Sequence, residues 1–196
     1  KNKNKDKKIR LKFPILLVSQ WNKTFMQKDG FLSEIGDSIK RNNFLIKSFL
    51  KKYDLKISIL LRTNLENEKK FYENYFGKYC KLIIPKNEEL YSYKIIYMSE
   101  LLISINSTLC LEAYSLKKKV FFSNQTGSNL YTLPIVENCK ISNDNQKNFN
   151  KKLFELLNMK QDLYEKKTEQ NRNYLISSQN NINIEKLKKE ISTLIN

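Results

Sequence analysis

Apolar residues fall into two rhythms along this chain: short unbroken runs, and longer stretches where they recur every three or four positions. Unbroken runs predict buried strands, and the helical rhythm predicts amphipathic helices. The runs lie at residues 15–19, 56–62, 80–84, 101–105 and 120–122. Between and after them the helical rhythm predicts helices at 33–53, 66–76, 88–99, 109–116, 148–159, 162–177 and 184–195. In the first helix Ile35, Ile39, Leu45, Ile46, Phe49 and Leu50 form the apolar face, Ser33 is the expected cap, and Asn42-Asn43 is an expected bend or division. Phe71, Tyr72, Tyr75 and Phe76 turn the second helix inward until Gly77 stops it, Pro85 closes the third strand, and Tyr91, Tyr93 and Tyr97 read as a core stripe. After Pro134 the strand–helix alternation fades.

Strands alternating with helices imply a parallel sheet covered on both faces, and right-handed crossovers leave few topologies. The expected fold is α/β: a Rossmann-like doubly wound parallel sheet of about six strands, with C-terminal helices. Residues 1–12 read as a basic linker or tail, 13–180 as the domain and 181–196 as a C-terminal helix. In this architecture the first and fourth strands are neighbours, and ligands bind above their carboxyl ends. Those ends carry Ser19-Gln20-Trp21 and Asn106-Ser107-Thr108.

Residues 100–124 carry the chemistry. They read as strand, polar turn, helix and strand, with Ser107 and Thr108 where the helix begins and the lysine cluster Lys117 to Lys119 as a basic turn before the last strand. Free backbone N–H groups and the helix dipole favour an anion at such a place, and the hydroxyls add donors. Capping is the commoner use of these residues, and the coincidence with the switch point tips the reading toward a ligand phosphate. Arg62, delivered by the end of the second strand, supplies a positive charge beside them; a surface salt bridge is its bland alternative.

Composition narrows the classes. The chain of 196 residues carries a net charge of +16, mostly lysine spread along its whole length. That spread matches AT-rich coding drift and a general attraction to anions, so no specific nucleic-acid partner is expected. Cys80, Cys110 and Cys139 are far apart and suggest no disulfide framework, and the absence of histidine removes His-based acid–base chemistry and most zinc sites. No apolar run approaches the ~20 residues of a membrane span, and no signal-peptide pattern opens the sequence. The usual dinucleotide fingerprint and P-loop are missing, and Ser19-Gln20 and Pro85-Lys86 stand where a receiver domain needs acids.

The run ISINSTLCLEAYSLKKKVFFSN, residues 103–124, resembles the donor-binding motif in the C-terminal half of GT-B glycosyltransferases, especially those of bacterial surface-carbohydrate synthesis. The resemblance extends over most of residues 14–180, and its specific part is about the length of that run. It implies a nucleotide-sugar donor as substrate, no tightly bound cofactor and no metal. Ser107 and Thr108 would hold the diphosphate and Glu112 the ribose or sugar hydroxyls, with Asn106, Arg62, Ser19 and Gln20 completing the nucleotide-sugar site. The implied partners are a glycan or lipid-linked acceptor and an N-terminal Rossmann-like domain, missing from this chain, which often carries the catalytic base. The expected location is cytoplasmic, peripheral to the inner face of an acidic membrane. Leu109 and Cys110 depart from the glycines many relatives have in this turn. A nucleotide-sugar 2-epimerase shares the fold and a serine-then-glutamate motif and is the sibling reading. A basic nucleic-acid-binding or scaffolding domain without catalysis is the contrasting one.

Overall fold

The structure, a computed structural model, describes residues 13–27, 33–128, 131–176 and 193. Its centre is one sheet of six strands in the order β3-β2-β1-β4-β5-β6: β1 Phe13–Val18, β2 Ile57–Leu60, β3 Cys80–Ile83, β4 Ser99–Ser104, β5 Lys119–Asn124 and β6 Lys140–Ser142. Every neighbouring pair is parallel, and Leu17 stands between Ile59 of β2 and Ile103 of β4. The doubly wound order with β1 beside β4 is the one expected from the strand–helix alternation. The central strands are apolar on both sides because both sheet faces are covered.

The helices are α1 Ser33–Tyr53, α2 Glu66–Phe76, α3 Tyr91–Tyr97, α4 Thr108–Ser115, α5 Gln146–Asn158 and α6 Gln161–Ile176. α1 packs beside α5, and α4 packs beside α6. Asn42 and Asn43 do not divide α1: both side chains are buried, and the packing of Ile39, Leu45, Ile46, Phe49 and Leu50 carries the helix through them. Local propensity yields there to a long apolar face. In α2, Tyr72 and Phe76 are buried, while Phe71 and Tyr75 are only partly covered.

Three further expectations are corrected. The helix predicted over 88–99 is shorter, and its buried residues are Ile95 and Ile96; Tyr91 is half-buried and packs against the core, while Tyr93 and Tyr97 are half-buried outside that cluster. Lys119, expected in a turn with Lys117 and Lys118, begins β5 and is 4% exposed, its ammonium 3.4 Å from Glu100. The turn ends earlier because α4 closes in a Schellman motif: Lys117 takes a left-handed φ of 67°, and Lys118 N–H reaches Ala113 O at 2.9 Å. The alternation also continues beyond Pro134, through the short edge strand β6. The basic arm 1–12, Asp29-Gly30 and the helix expected at 184–195 lie outside the described residues, apart from the single helical residue Thr193.

Candidate functional site

Parallel strands end on one side of a sheet, and the loops after them leave a crevice where the chain order reverses. Here that crevice is a cleft of about 460 Å³. It is lined at the ends of β1 and β2 by Ser19, Gln20 and Arg62, and at the start of α4 by Asn106, Ser107 and Thr108. Phe25, Ile35, Leu61 and Pro85 give it an apolar part, and Ser92 of α3 also faces it. The size is within the usual range for a small-molecule pocket.

Gln20 organises the polar part. Its Oε1 accepts hydrogen bonds from Ser104 Oγ at 2.9 Å, Ile105 N at 2.7 Å and Asn106 N at 3.2 Å. Its Nε2 donates to Asn106 Oδ1. One amide thus fastens the end of β1 to the turn between β4 and α4. Ser104 Oγ in turn accepts from Ser107 N at 3.0 Å. Ser107 stands at the N-cap position but its side chain makes no capping bond. The helix therefore begins with the N–H groups of Thr108 and Leu109 donating to no group of the chain among the described residues. Donors of this kind beside hydroxyls suit an anion.

Ser19 ties the cleft lining to α2. It is buried, and its hydroxyl donates to Glu68, a residue not singled out in the sequence. Glu68, 0% exposed, also accepts from Arg62 N at 2.9 Å, Thr63 N at 2.8 Å and Thr63 Oγ1 at 2.7 Å. It sits at the third position of α2 and reaches back to the residues before the helix, an extended form of the capping-box contact. A glutamate in the first turn, five residues after a threonine at a strand end, was the available signal. Arg62 is exposed, with its backbone fixed by Glu68 while its side chain lines the cleft.

Glu112 is exposed and is not part of the cleft lining. Its carboxylate accepts a hydrogen bond from Tyr93 Oη at 2.6 Å, joining α4 to α3. Burial pushes the Tyr93 hydroxyl up to about 12, reinforced by the bond to Glu112 and its charge. Under the turn, Cys110 is wholly buried, which pushes its thiol up to about 12 against the opposing hydrogen bonds of Ser104 and Ser107. Such a thiol is packing, not a nucleophile. Among the described residues no group of three or more carboxylate, thiol or imidazole side chains converges as a metal site.

A family model described as "putative O-antigen biosynthesis protein" matches residues 1–133. No curated protein matches the sequence. Among solved structures, the chain is similar to the UDP-GlcNAc 2-epimerase of Neisseria meningitidis bound to UDP-GlcNAc, with 19% identity and a TM-score of 0.48 over 78% of this chain and 37% of that one. It is also similar to the UDP-GlcNAc 2-epimerase of Methanocaldococcus jannaschii, with 16% identity and a TM-score of 0.46 over 75% of this chain and 39% of that one. The chain thus spans well under half the length of these two proteins.

Proposed function

The chain belongs to this family of O-antigen biosynthesis proteins, and from that premise we propose that its cleft binds the nucleoside diphosphate of a nucleotide sugar. On this reading it is the donor-binding half of a GT-B-type glycosyltransferase that passes the sugar to a surface-glycan or lipid-linked acceptor. The carrying observation is the amide of Gln20, which fixes the start of α4 so that Ser107, Thr108 and unpaired N–H groups share one cleft with Arg62. A diphosphate answers all of these groups at once, and charge-assisted hydrogen bonds from hydroxyls and N–H groups need no metal.

Among the described residues that line the cleft, the ionisable side chain is Arg62. A second Rossmann-like half would close the cleft and bring the base that deprotonates the acceptor hydroxyl. The 2-epimerase reading needs groups that remove and return the proton on carbon 2 of the sugar, and the lining described here contributes none. A base for transfer is equally lacking in that lining, so both readings place their acid–base chemistry outside it and are separated by their products.

Calorimetry with a panel of nucleoside diphosphates and nucleotide sugars, with and without chelator, tests the binding. Binding that survives chelation is the expected result. No binding by any nucleotide, in a protein carrying both halves, would count against the proposal. Transfer and epimerisation separate on product: the first releases nucleoside diphosphate only with an acceptor, the second changes the sugar without one.

A further inference from the structure

Glycine is a poor residue for a helix interior, since it loses more backbone freedom on ordering than alanine and adds nothing to packing. Gly36 nevertheless lies within α1 and is buried, and its φ is not positive, so no left-handed turn calls for it. What calls for it is the loop after β1. A Cβ placed on Gly36 would lie 1.9 Å from the carbonyl oxygen of Phe25, 2.9 Å from its carbonyl carbon and 3.5 Å from the Cα of Met26. The obstacle is backbone, which cannot swing aside as the tip of a side chain does.

The loop has a structure of its own. Asn22 Oδ1 accepts from Thr24 N at 2.9 Å, and Met26 N donates to Asn22 O at 3.2 Å. It leaves β1 through the buried Trp21. Seated on α1 in this way, Phe25 and Met26 pack with Ile35, Ile39 and Ile105 in a small cluster, and Met26 also packs against the main core. Phe25 and Ile35 of that cluster line the same cleft as Ser107 and Thr108.

A nucleoside diphosphate has two chemically unlike ends. The hydroxyl turn and Arg62 suit the phosphates; the apolar part of the cleft suits flat, uncharged rings. We infer that Gly36 is a positioning residue for nucleoside recognition: by leaving no Cβ under the Phe25 carbonyl, it seats the loop on α1 and holds Phe25 against the nucleoside portion of the ligand. For its ligand this rests on the nucleotide-binding reading above; the seating of the loop stands without it.

The test compares the parent protein, carrying both halves, with its Gly36→Ala and Phe25→Ala variants, using a nucleoside diphosphate and inorganic pyrophosphate as probes. Both variants should lose about tenfold in affinity for the nucleotide, the scale of one base–aromatic contact, and keep pyrophosphate affinity within about twofold. Gly36→Ala should also speed tryptic cleavage after Lys23, exposed in this loop, because the loop can no longer lie on the helix. Phe25→Ala keeps the backbone and decides the ligand question should Gly36→Ala fail to fold. An unchanged nucleotide-to-pyrophosphate ratio in Phe25→Ala would overturn the recognition role. A more stable Gly36→Ala with unchanged cleavage, as helix propensity alone dictates, would overturn the seating role. A parent protein carrying both halves that binds neither probe defeats the nucleotide reading instead, and the cleavage rates still decide the loop.

Discussion

The hydroxyl of Ser19 donates to the buried carboxylate of Glu68, fastening the end of β1 to the first turn of α2. The same carboxylate takes both backbone N–H groups of Arg62 and Thr63 and the Thr63 hydroxyl, so it also holds the end of β2. One side chain therefore sets the spacing of two strand ends on the floor of the cleft. Glu68→Ala strands these donors away from water and should cost about 3 kcal/mol. Glu68→Gln keeps one carbonyl acceptor and should cost ~1–2 kcal/mol. Urea unfolding measures both. A loss within ~0.5 kcal/mol for the alanine variant, the range of an ordinary surface substitution, would contradict the network.

Gln20 supplies the matching link on the other side of β1. Gln20→Leu keeps the volume but leaves Ile105 N, Asn106 N and the Ser104 hydroxyl without their acceptor, and should cost about 1–3 kcal/mol in stability. Gln20→Glu keeps that acceptor while replacing the donor to Asn106 with a second anionic oxygen at the proposed phosphate site. It should lose little stability and at least about tenfold in nucleotide affinity, since one repelled charge readily amounts to ~1.4 kcal/mol at short range. Melting curves and calorimetry on the two variants give the contrast; equal effects on stability and affinity in both would argue against an anion at this turn.

The sheet order was legible because burial on both faces leaves parallel strands as unbroken apolar runs, and five of the strands have them. β6 escaped because a three-residue edge strand, Lys140–Ser142, buries only Ile141 and leaves no run to see. The cleft residues Gln20, Asn106, Ser107 and Thr108 were legible from topology, which states where strand ends meet before any contact is known. Glu68 was not, since a glutamate in the first turn of a charged helix looks solvated until the fold closes over it. Lys119 misled for the same reason: its neighbours Lys117 and Lys118 made it look like part of a basic turn, whereas pairing with Glu100 lets its charge enter the sheet. The close approach at Gly36 has no local signature either, because the partner backbone of Phe25 comes from another segment.

Lys118 gives the stability profile a measurable slope. Its ammonium donates to Tyr97 O at 3.0 Å. Burial pulls it from 10.5 down to about 8, with Glu100 opposing and Lys119 adding to the fall. The folded chain therefore releases this proton first, and between about pH 8 and 10.5 the unfolded state holds more protons. Stability from this group rises with pH across that window and is flat below it. Lys118→Met keeps the stem and removes the titration, so its urea midpoints should lack the rise. Subtracting variant from parent isolates Lys118 from Cys110 and Cys139, whose thiols, pushed up to about 12 by burial, act in the opposite direction. Parallel profiles for the two proteins would refute the assignment.

Glu112 stands one turn into α4 after Thr108, bonded to Tyr93 at 2.6 Å and outside the cleft lining. It is either an acceptor for ribose hydroxyls that swings toward a bound nucleotide or a brace between α3 and α4. Glu112→Gln keeps the shape and removes the charge. In both cases the Tyr93 titration should fall from about 12, because the bond and the charge of Glu112 contribute to its rise; ultraviolet difference titration reads this. Only the ribose role predicts a change in ligand preference: nucleotide affinity should fall by about tenfold, the scale of one charge-assisted hydrogen bond, while pyrophosphate affinity holds. Replacing Ser107 and Thr108 together with alanine should instead weaken both ligands by roughly 1–3 kcal/mol, since both carry the diphosphate. The expected result is a shifted nucleotide-to-pyrophosphate ratio in Glu112→Gln and an unshifted one in the double alanine variant. A Glu112→Gln protein with a lowered Tyr93 titration and the parent's ratio would confine Glu112 to bracing α3 against α4 and leave phosphate recognition to the hydroxyl turn.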